Sequence, residues 1–250
     1  MKLVSYYLHG VNASRNACLP EWSLQDKPCP HGHVSGVPLS HFTWHQDGAS
    51  WVDYAAAFYA TAPFALAVGF PAWFLWTRGT KEILGTAFFW LLALVVVVLK
   101  LAIGQPRPPG SCLTSCGMPS GHTLESVGFF AWLLLEVARS QRTSSLGKCL
   151  LLACGGTLLL PVGWSRTVSQ DHSWPQVIAG GAIGVCMGAG WFWLLNQRCT
   201  YWLLKLAWLH LPFLTRNYPP DGVEEETSWG EVHGAGAAGS AGRLSGRLAG

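Results

Sequence analysis

The chain has 250 residues and a formal net charge of +3, and only 12% of its residues are charged, about half the share that is usual in soluble domains. It is rich in Trp, Phe and Gly, with 14, 11 and 29 residues respectively. This balance excludes a disordered chain and a coiled coil. It also excludes a nucleic-acid-binding module, because so small a positive charge cannot support binding through counterion release.

The first element is a polar segment, residues 1–53, which precedes any long apolar stretch. It lacks the basic stretch followed by an apolar stretch that marks a cleavable signal peptide, so we expect the first membrane span to direct targeting. A glycosylation sequon begins at Asn12, although such triplets are common by chance.

Five apolar blocks follow, each near the length of about 20 residues that crosses a bilayer. They cover residues 54–76, 83–103, 123–138, 149–164 and 177–195. The third block contains two Glu residues, whereas the fourth and fifth hold no charged residue and are rich in Gly, as packed membrane helices often are. So many nearly uncharged blocks exceed the needs of a soluble core. They predict an all-α, polytopic transmembrane helix bundle with about five spans.

Two segments follow the last block. Residues 199–216 are aromatic and rich in Leu but are interrupted by Lys205, His210 and Pro212, which predicts an interfacial segment rather than a span. Residues 217–250 pass through three consecutive Glu residues into a Gly- and Ala-rich sequence without large apolar side chains. We expect that part to be a disordered low-complexity tail.

Basic residues in the short loops predict the orientation of the bundle. Loops 77–82 and 139–148 and the segment after the fifth block hold most of them, which predicts that these parts face the cytosol: Arg78, Lys81, Arg139, Arg142, Lys148, Arg198, Lys205 and Arg216. Loops 104–122 and 165–176 then share the opposite face with the N-terminal segment.

Half of the eight cysteines fall on that non-cytosolic face, where disulfides persist. Two of them, Cys112 and Cys116, sit in one short loop. We therefore expect Cys112 to pair with Cys116, and Cys18 to pair with Cys29.

Three polar clusters lie at the ends of apolar blocks on the same face. The first runs over residues 100–108, the second is the sequence MPSGH at 118–122, and the third covers residues 165–176. Two spans separate the second cluster from the third, so the chain returns to the side from which it left. We therefore expect five side chains to converge in one pocket: Lys100, Arg107, His122, Arg166 and His172.

Such a pocket suits phosphoryl transfer. Three cations offer charge-assisted donors to a tetrahedral oxyanion, and the two Arg residues can bind it bidentately. Ser120 and Gly121 precede a helix, so their backbone N–H groups can face the same anion at the positive end of the helix dipole. Two histidines supply a nucleophile and a proton donor near neutral pH. This chemistry requires no metal, and we expect neither a metal nor another cofactor.

Each of these features has a simpler explanation when it is taken alone. Lys100 could be a snorkelling anchor at the membrane edge, His122 could cap a helix, and the prolines near Arg107 could mark a loop exit. Their occurrence together, in this order and on one face, favours the pocket.

The spacings KxxxxxxRP, PSGH and SRxxxxxH resemble the three-part signature of the type 2 phosphatidic acid phosphatase (PAP2) superfamily, which includes lipid phosphatases, glucose-6-phosphatase and vanadium haloperoxidases. GMPSGH, SRTVSQDHSWPQVIAGGAIG and FTWHQDGASWVDYAAAFYATAPF most resemble the branch that acts on dolichyl diphosphate. The resemblance covers residues 42–198. It implies a PAP2-like transmembrane phosphatase domain over residues 54–198.

The resemblance also implies roles for individual residues. His172 would attack phosphorus and form a phosphohistidine, and His122 would protonate the leaving group and then activate water. The phosphate would be held by a set of five residues: Lys100, Arg107, Ser120, Gly121 and Arg166.

One position departs from the superfamily pattern, which has an Asp four residues after the nucleophile where this chain has Gln176. A Gln can hold the imidazole by a hydrogen bond but cannot stabilise an imidazolium by charge. It would therefore either slow catalysis or be the solution of one branch, and Gln at this place resembles the dolichyl diphosphate branch. We expect Asp171 to point away from His172, with replacement of the missing acid as the alternative.

The resemblance thus implies a metal-independent hydrolase of the endoplasmic reticulum membrane, with its active site facing the lumen. It would convert dolichyl diphosphate, a polyprenyl diphosphate lipid, to dolichyl phosphate and so recycle the dolichol carrier for protein N-glycosylation. Its expected partners are this lipid and the bilayer, with no nucleic acid. Two alternatives stay open: a broader lipid phosphatase for phosphatidate or other prenyl diphosphates, and a catalytically silent lipid-binding protein, which only Gln176 favours.

The remaining polar residues give weaker signals. Glu125 and Glu136 are eleven positions apart and share a helix face, which either lines the pocket, pairs with Lys100 or pairs within the bundle. The many Trp residues are expected to form interfacial belts. Two pairs of histidines have spacings that permit metal binding, but they lack further ligands, so we interpret them as polar loop residues: His31 with His33, and His41 with His45.

Overall fold

The computed structural model describes residues 18–25, 27–37, 40–45, 50–141 and 143–197. Within these ranges the chain is mostly helical, with one two-stranded sheet near its N-terminal end. The sequon at Asn12, the interfacial segment predicted for 199–216 and the tail predicted for 217–250 lie outside the described residues.

The N-terminal segment contains a short helix and a β-hairpin. Helix α1 (Glu21–Leu24) is followed by strands β1 (Gly32–Val37) and β2 (Ser40–His45), which pair antiparallel with Gly32 opposite His45 and Val37 opposite Ser40. Gly36 has a φ of 127°, and a Cβ at this position would lie 2.2 Å from the carbonyl oxygen of Ser40. Only glycine therefore allows β1 to pass so close to the start of β2.

The first apolar block forms two helices, α2 (Trp51–Ala60) and α3 (Ala62–Thr77), which meet at Thr61. A capping box starts α2, in which the backbone N–H of Asp53 donates to the side chain of Ser50 and that of Ser50 donates to Asp53. The break at Thr61 is favoured by Pro63, which has no N–H to donate to the preceding turn. Because Ser50 caps α2, this helix begins at Trp51, three residues before the predicted boundary at residue 54.

The other four blocks also form helices. These are α4 (Thr80–Ile103), α5 (Gly121–Arg139), α6 (Ser145–Leu159) with α7 (Val162–Val168), and α8 (Trp174–Leu195). Four stretches are long and apolar enough to cross a membrane: Trp51–Thr77, Thr80–Ile103, Ser145–Val168 and Trp174–Leu195.

Helix α5 is the most polar of the five blocks, because it carries His122, Glu125 and Glu136. It packs against α3, α4, α6, α7 and α8, which buries Glu125 within the bundle. The prediction of an all-α transmembrane bundle with about five spans is therefore confirmed, with α5 as the central helix.

Helices α5 and α8 approach closely along a row of glycines. A Cβ at Gly180 would lie 2.5 Å from the carbonyl oxygen of Ser120, and one at Gly184 would lie 2.6 Å from that of Leu124. Small residues spaced by four positions let membrane helices come into backbone contact. This contact brings the start of α5, which carries His122, next to the start of α8.

Aromatic side chains fill the interior beyond these helix ends. Phe88 stacks on Trp191 with ring centroids 5.2 Å apart and lies 5.1 Å from the ring of Phe129. Large apolar side chains such as Trp76, Leu75 and Ile178 are exposed on the outside. An apolar outer surface of this kind is what a helix bundle presents to lipid.

Candidate active site

Two disulfides fasten the N-terminal segment to the loop between α4 and α5. Cys18 is bonded to Cys116 and Cys29 to Cys112, with Cα atoms 5.0 and 5.5 Å apart. The predicted pairs, Cys18 with Cys29 and Cys112 with Cys116, are therefore wrong. The N-terminal segment lies across the loop, so each cysteine faces the other segment rather than its neighbour in sequence.

Arg107 is held by three groups at the centre of the site. Its Nε and Nη2 atoms donate to the carbonyl and hydroxyl oxygens of Ser115, both at 2.8 Å, and Nη1 donates to the carbonyl of Asp171 at 2.8 Å. The same Nη1 atom lies 3.0 Å from Nε2 of His172. The two predicted site residues Arg107 and His172 are therefore in direct contact.

Gln176 sets the orientation of the His172 ring. The Nε2 atom of Gln176 donates to the carbonyl of Pro106 at 2.9 Å, and its Oε1 atom accepts the backbone N–H of Ser173 at 3.2 Å. Since this assignment leaves an acceptor facing His172, the contact of 3.2 Å between Oε1 and Nδ1 requires the proton on Nδ1. The lone pair is then on Nε2, the nitrogen that faces Arg107.

Gly117 makes room for this amide. A Cβ at Gly117 would lie 2.6 Å from Nε2 of Gln176 and 2.8 Å from its Oε1. The glycine before the MPSGH sequence therefore allows the loop to close over the side chain that orients His172.

His172 lies in the turn between α7 and α8 and is almost completely buried. Burial lowers the pKa of His172 well below its ordinary value of 6.5, and the charges of Arg107, Lys100, Arg166 and His122 lower it further. The ring is therefore neutral at pH 7, as a nitrogen nucleophile must be. The four residues that act on His172 in this way are the other members of the pocket that the sequence predicted.

Arg166 and Asp171 form an ion pair behind His172. The Nη2 atom of Arg166 lies 2.9 Å from Oδ2 of Asp171, and both side chains are fully buried. Asp171 also accepts hydrogen bonds from the N–H and hydroxyl of Thr43, at 3.0 and 2.6 Å, and from the hydroxyls of Ser111 and Ser169. Asp171 thus points away from the His172 ring, as expected.

The guanidinium of Arg166 retains donors that no described residue uses. Although Nη2 is in ion-pair contact with Asp171, the Nε and Nη1 atoms have no hydrogen-bond acceptor among the described residues. A buried charged donor without an acceptor is costly, by about 1–3 kcal/mol or more. Unused donors at such a position are expected where an anionic ligand binds.

Lys100, in the last turn of α4, is the third cation. It is buried, and its Nζ atom donates to the carbonyl of Cys116 at 2.7 Å. One of its three N–H groups is therefore used by the disulfide-bonded loop.

The start of α5 differs in part from the prediction. The backbone N–H of Ser120 donates to the carbonyl of Gln176 at 3.1 Å, and its hydroxyl lies 2.9 Å from that of Thr123. This N–H is therefore already used, contrary to the prediction that it faces a bound anion. The N–H of Gly121, the first residue of α5, remains a candidate donor.

His122, the second residue of α5, contacts the N-terminal hairpin. Its Nε2 atom lies 3.2 Å from the hydroxyl of Ser40, the first residue of β2. Sequence reasoning missed Ser40, which contacts His122 of the second polar cluster, and Thr43, which contacts Asp171 of the third. The signals that could have found them were the cysteines at 18 and 29 and the resemblance, which begins at residue 42.

The weaker candidates lie at the edges of the site or outside it. Glu136 pairs with Lys81 at 3.6 Å and accepts from Nε1 of Trp132 at 3.3 Å, so its role is structural. Glu125 is buried one turn beyond His122. Among the predicted loop histidines, His31 and His33 are exposed, and Nε2 of His45 lies 3.3 Å from the carbonyl of Ser169.

Residues 83–199 match the sequence model of the PAP2 superfamily. The matched range contains all three polar clusters, most of α4 and the whole of α5 to α8. This part of the chain is a PAP2 superfamily domain, as its motif spacing indicated.

Several proteins resemble this chain over most of their own length. Dolichyldiphosphatase of Saccharomyces cerevisiae is 26% identical over 187 residues, which are 69% of this chain and 77% of the yeast protein. Dolichyldiphosphatase 1 of Homo sapiens is 29% identical over 186 residues, or 68% of this chain and 76% of the human protein. Glucose-6-phosphatase 3 of Rattus norvegicus is 36% identical over 94 residues, but these are only 26% of the rat protein. No solved structure gives a significant match to this chain.

Proposed function

We propose that this protein is a membrane phosphatase that hydrolyses dolichyl diphosphate to dolichyl phosphate and inorganic phosphate. The activity would be metal-independent and would proceed through a phosphohistidine at His172. In this role the protein recycles the dolichol carrier used in protein N-glycosylation.

The observation that carries the proposal is the pairing of a neutral histidine with unused cationic donors. His172 presents the lone pair of Nε2 towards Arg107, and the buried guanidinium of Arg166 retains two nitrogen atoms for which the described part of the chain offers no acceptor. Positioned cations of this kind stabilise the equatorial oxygens of a phosphoryl group during transfer. Lys100 adds a third charge, so the protein supplies the electrostatic stabilisation with its own side chains.

In the first step, the lone pair of His172 Nε2 attacks the terminal phosphorus of the diphosphate. Before substrate binds, Nη1–H of Arg107 donates to Nε2 of His172. When the diphosphate binds, Arg107 donates to a phosphate oxygen instead, which frees the lone pair of Nε2 for attack. The bond between this phosphorus and the bridging oxygen breaks, its electron pair stays with that oxygen, and His122 donates the proton that the departing dolichyl phosphate takes up.

In the second step, water replaces the histidine at phosphorus. His122, now neutral, removes a proton from the attacking water, and the bond between phosphorus and His172 Nε2 breaks with its electron pair returning to the imidazole. Inorganic phosphate leaves, and both histidines have regained their starting states. Gln176 accepts from Nδ1–H of His172 throughout and keeps the ring in the attacking orientation.

The lipid part of the proposal rests on the relatives named dolichyldiphosphatase and on a groove in the bundle. A groove of about 600 Å³ is lined mainly by apolar side chains of α3, α5 and α6, among them Phe70, Phe129 and Trp132. Phe129 lies seven residues after His122, about 10 Å along the helix. An apolar groove at this distance suits the hydrocarbon tail of a substrate whose diphosphate is at His122.

The location in the endoplasmic reticulum, with the site towards the lumen, rests on charge and on cysteine chemistry. Lys81 and Lys148 lie in the first turns of α4 and α6, at one end of the bundle, and Arg107 and His172 lie in the loops at the other end. Two disulfides at the latter end suit an oxidising compartment.

The test is phosphate release by the purified protein in detergent with a chelator present. Dolichyl diphosphate, dolichyl phosphate, phosphatidate and glucose 6-phosphate are compared, and His172→Ala and Gln197→Ala serve as the inactive and matched control variants. We expect turnover mainly of the diphosphate, its loss in His172→Ala but not in Gln197→Ala, and acid-labile phosphate bound to wild type and Gln197→Ala but not to His172→Ala.

Other outcomes would redirect the proposal. Equal turnover of phosphatidate would indicate a broad lipid phosphatase, and preference for glucose 6-phosphate would contradict a lipid substrate. Absence of turnover with every substrate would indicate a silent lipid-binding homologue. Dependence on added metal would contradict the metal-free mechanism.

A further inference from the structure

The N-terminal hairpin lies outside the range that matches the PAP2 superfamily, yet it contacts the reactive residues. Strand β2 ends at His45, well before residue 83 where the match begins. It is nevertheless packed onto α2 and α3, and two disulfides fasten the segment around it to the loop after α4. A part of the chain outside the matched range is therefore fixed against the active site.

Ser40 begins β2 and is completely buried. Its hydroxyl donates to the carbonyl of Ala60 at the end of α2, and its oxygen lies 3.2 Å from Nε2 of His122. A hydroxyl has one proton, and here that proton is used by Ala60. The oxygen of Ser40 must therefore accept from His122, which places a proton on Nε2 of His122.

This chain of hydrogen bonds determines which nitrogen of His122 is available for chemistry. With Nε2–H fixed towards Ser40, Nδ1 is the ring nitrogen left to exchange a proton with the reacting groups. In the proposed reaction, the same nitrogen must first give a proton to the leaving oxygen and then take one from water. If the imidazole ring of His122 flipped between the two steps, Nε2 rather than Nδ1 would face the reacting groups. A fixed acceptor for Nε2–H is therefore required to keep the ring in one orientation.

The anchoring of Ser40 itself is specified by the local sequence. Gly36 permits β1 to pass within contact of the Ser40 carbonyl, and the end of α2 at Thr61 places the Ala60 carbonyl beside the strand. Ser40 is thereby held in place by contacts with β1 and α2, independently of its contact with His122.

We propose that Ser40 is a positioning residue of the active site, which holds the proton-transferring His122 in one ring orientation through its Nε2–H. This inference rests on the proposed function, since it assigns His122 its working nitrogen in that reaction. It also makes the N-terminal hairpin part of the catalytic unit.

The experiment compares kcat and KM for dolichyl diphosphate in wild type, Ser40→Ala and Ser35→Ala. Ser35→Ala is the matched control, because Ser35 is a serine of the same hairpin, opposite Phe42 on the partner strand. We expect Ser40→Ala to lower kcat about 10-fold, part of the roughly 100- to 10,000-fold that acid–base catalysis contributes, with KM within twofold of wild type. Ser35→Ala should match wild type.

A second arm separates positioning from a merely structural role. In a His122→Ala background there is no ring to hold, so adding Ser40→Ala should cause no further loss of the residual turnover, measured with radiolabelled substrate. Ser40→Thr retains the hydroxyl and should retain kcat. Should Ser40→Ala fail to fold, which thermal unfolding in detergent reports, the Thr variant carries the test.

The inference is overturned if Ser40→Ala turns over at the wild-type rate, if its defect lies in KM, or if it lowers turnover equally in the His122→Ala background. A folded Ser40→Thr protein with low kcat would also overturn it. An inactive wild-type protein would instead reject the proposed function, so the two failures are distinguishable.

Discussion

The Nδ1 atom of His172 lies 3.2 Å from the Oε1 atom of Gln176, one helical turn further along the chain. Where the superfamily pattern has a carboxylate, this chain uses a neutral amide whose other end is fixed on the carbonyl of Pro106. The amide therefore supplies direction rather than charge. A neutral amide, unlike a carboxylate, does not favour the imidazolium, which agrees with the lowered pKa of His172.

Replacing Gln176 by Leu should slow turnover without preventing folding. Leu has a similar size but cannot accept from His172 Nδ1–H or donate to Pro106, so the ring loses its fixed orientation and tautomer. We expect kcat for phosphate release to fall about 100-fold, less than for loss of a charged partner in a catalytic triad. Gln197→Leu, the same change beyond the opposite end of α8, should leave kcat unchanged. Turnover of Gln176→Leu within threefold of wild type would show that the amide does not orient the nucleophile.

The low pKa of His172 predicts the acid side of the pH profile. A lowered pKa means that the ring stays neutral, and so nucleophilic, below pH 6.5, and activity is lost only as the pH falls through the folded-state value. Arg107 is the largest charge that lowers this pKa, so Arg107→Gln should move the acid limb of kcat/KM to higher pH while lowering kcat/KM at every pH. An acid limb that stays in place in Arg107→Gln would contradict this electrostatic account.

The sequence predicted the spans and the reactive residues for one physical reason. Long apolar blocks such as 83–103 determine their own location in a membrane, and block ends determine which polar clusters share a face. Arg107 and His172, which touch, were therefore placed on the same side by counting spans. The membrane reduces the arrangement of helices to a choice between two sides.

The parts that sequence reasoning missed depend on contacts without such a constraint. Ser40 meets His122 across 82 positions, and Thr43 meets Asp171 across 128. Strand β2 is short and mixed in polarity, so no periodicity predicts its position or its partners. The prediction of the disulfide pairing was wrong for the same reason. Nearness in sequence, as between Cys112 and Cys116, does not show which other segment of the chain packs against the loop that holds them.

Removing the charge of Asp171 should destabilise the protein strongly. Asp171→Ala leaves the buried guanidinium of Arg166 without its ion-pair partner, which typically costs about 3–5 kcal/mol, and it also removes the acceptor for Thr43. Asp53→Ala is the control, since it removes only an exposed capping contact worth about 1 kcal/mol. Denaturant unfolding in detergent measures both. Equal losses for the two variants would contradict the ion pair as a stabilising element.

The disulfide connectivity can be tested directly by mass spectrometry. Digestion without reduction should yield peptides that join Cys18 to Cys116 and Cys29 to Cys112, and no peptide should join Cys112 to Cys116. Replacing both Cys29 and Cys112 by Ser should lower stability by about 2–5 kcal/mol, the range typical for the loss of a native disulfide. Recovery of the local pairs, or unchanged stability of the double variant, would contradict the crossed arrangement.

The glycines of α8 determine how closely this helix, which begins just after His172, packs against α5, which carries His122. In Gly184→Ala the new Cβ would lie 2.6 Å from the carbonyl oxygen of Leu124 and 3.0 Å from the backbone nitrogen of Gly128, so the helices must separate. We expect a loss of about 1–3 kcal/mol in the free energy of unfolding and a lower kcat. Gly190→Ala meets nothing within 4 Å and should gain up to about 1 kcal/mol from helix propensity. Thermal unfolding and turnover of the two variants measure this difference, and equal behaviour would mean that close helix contact does not hold the site together.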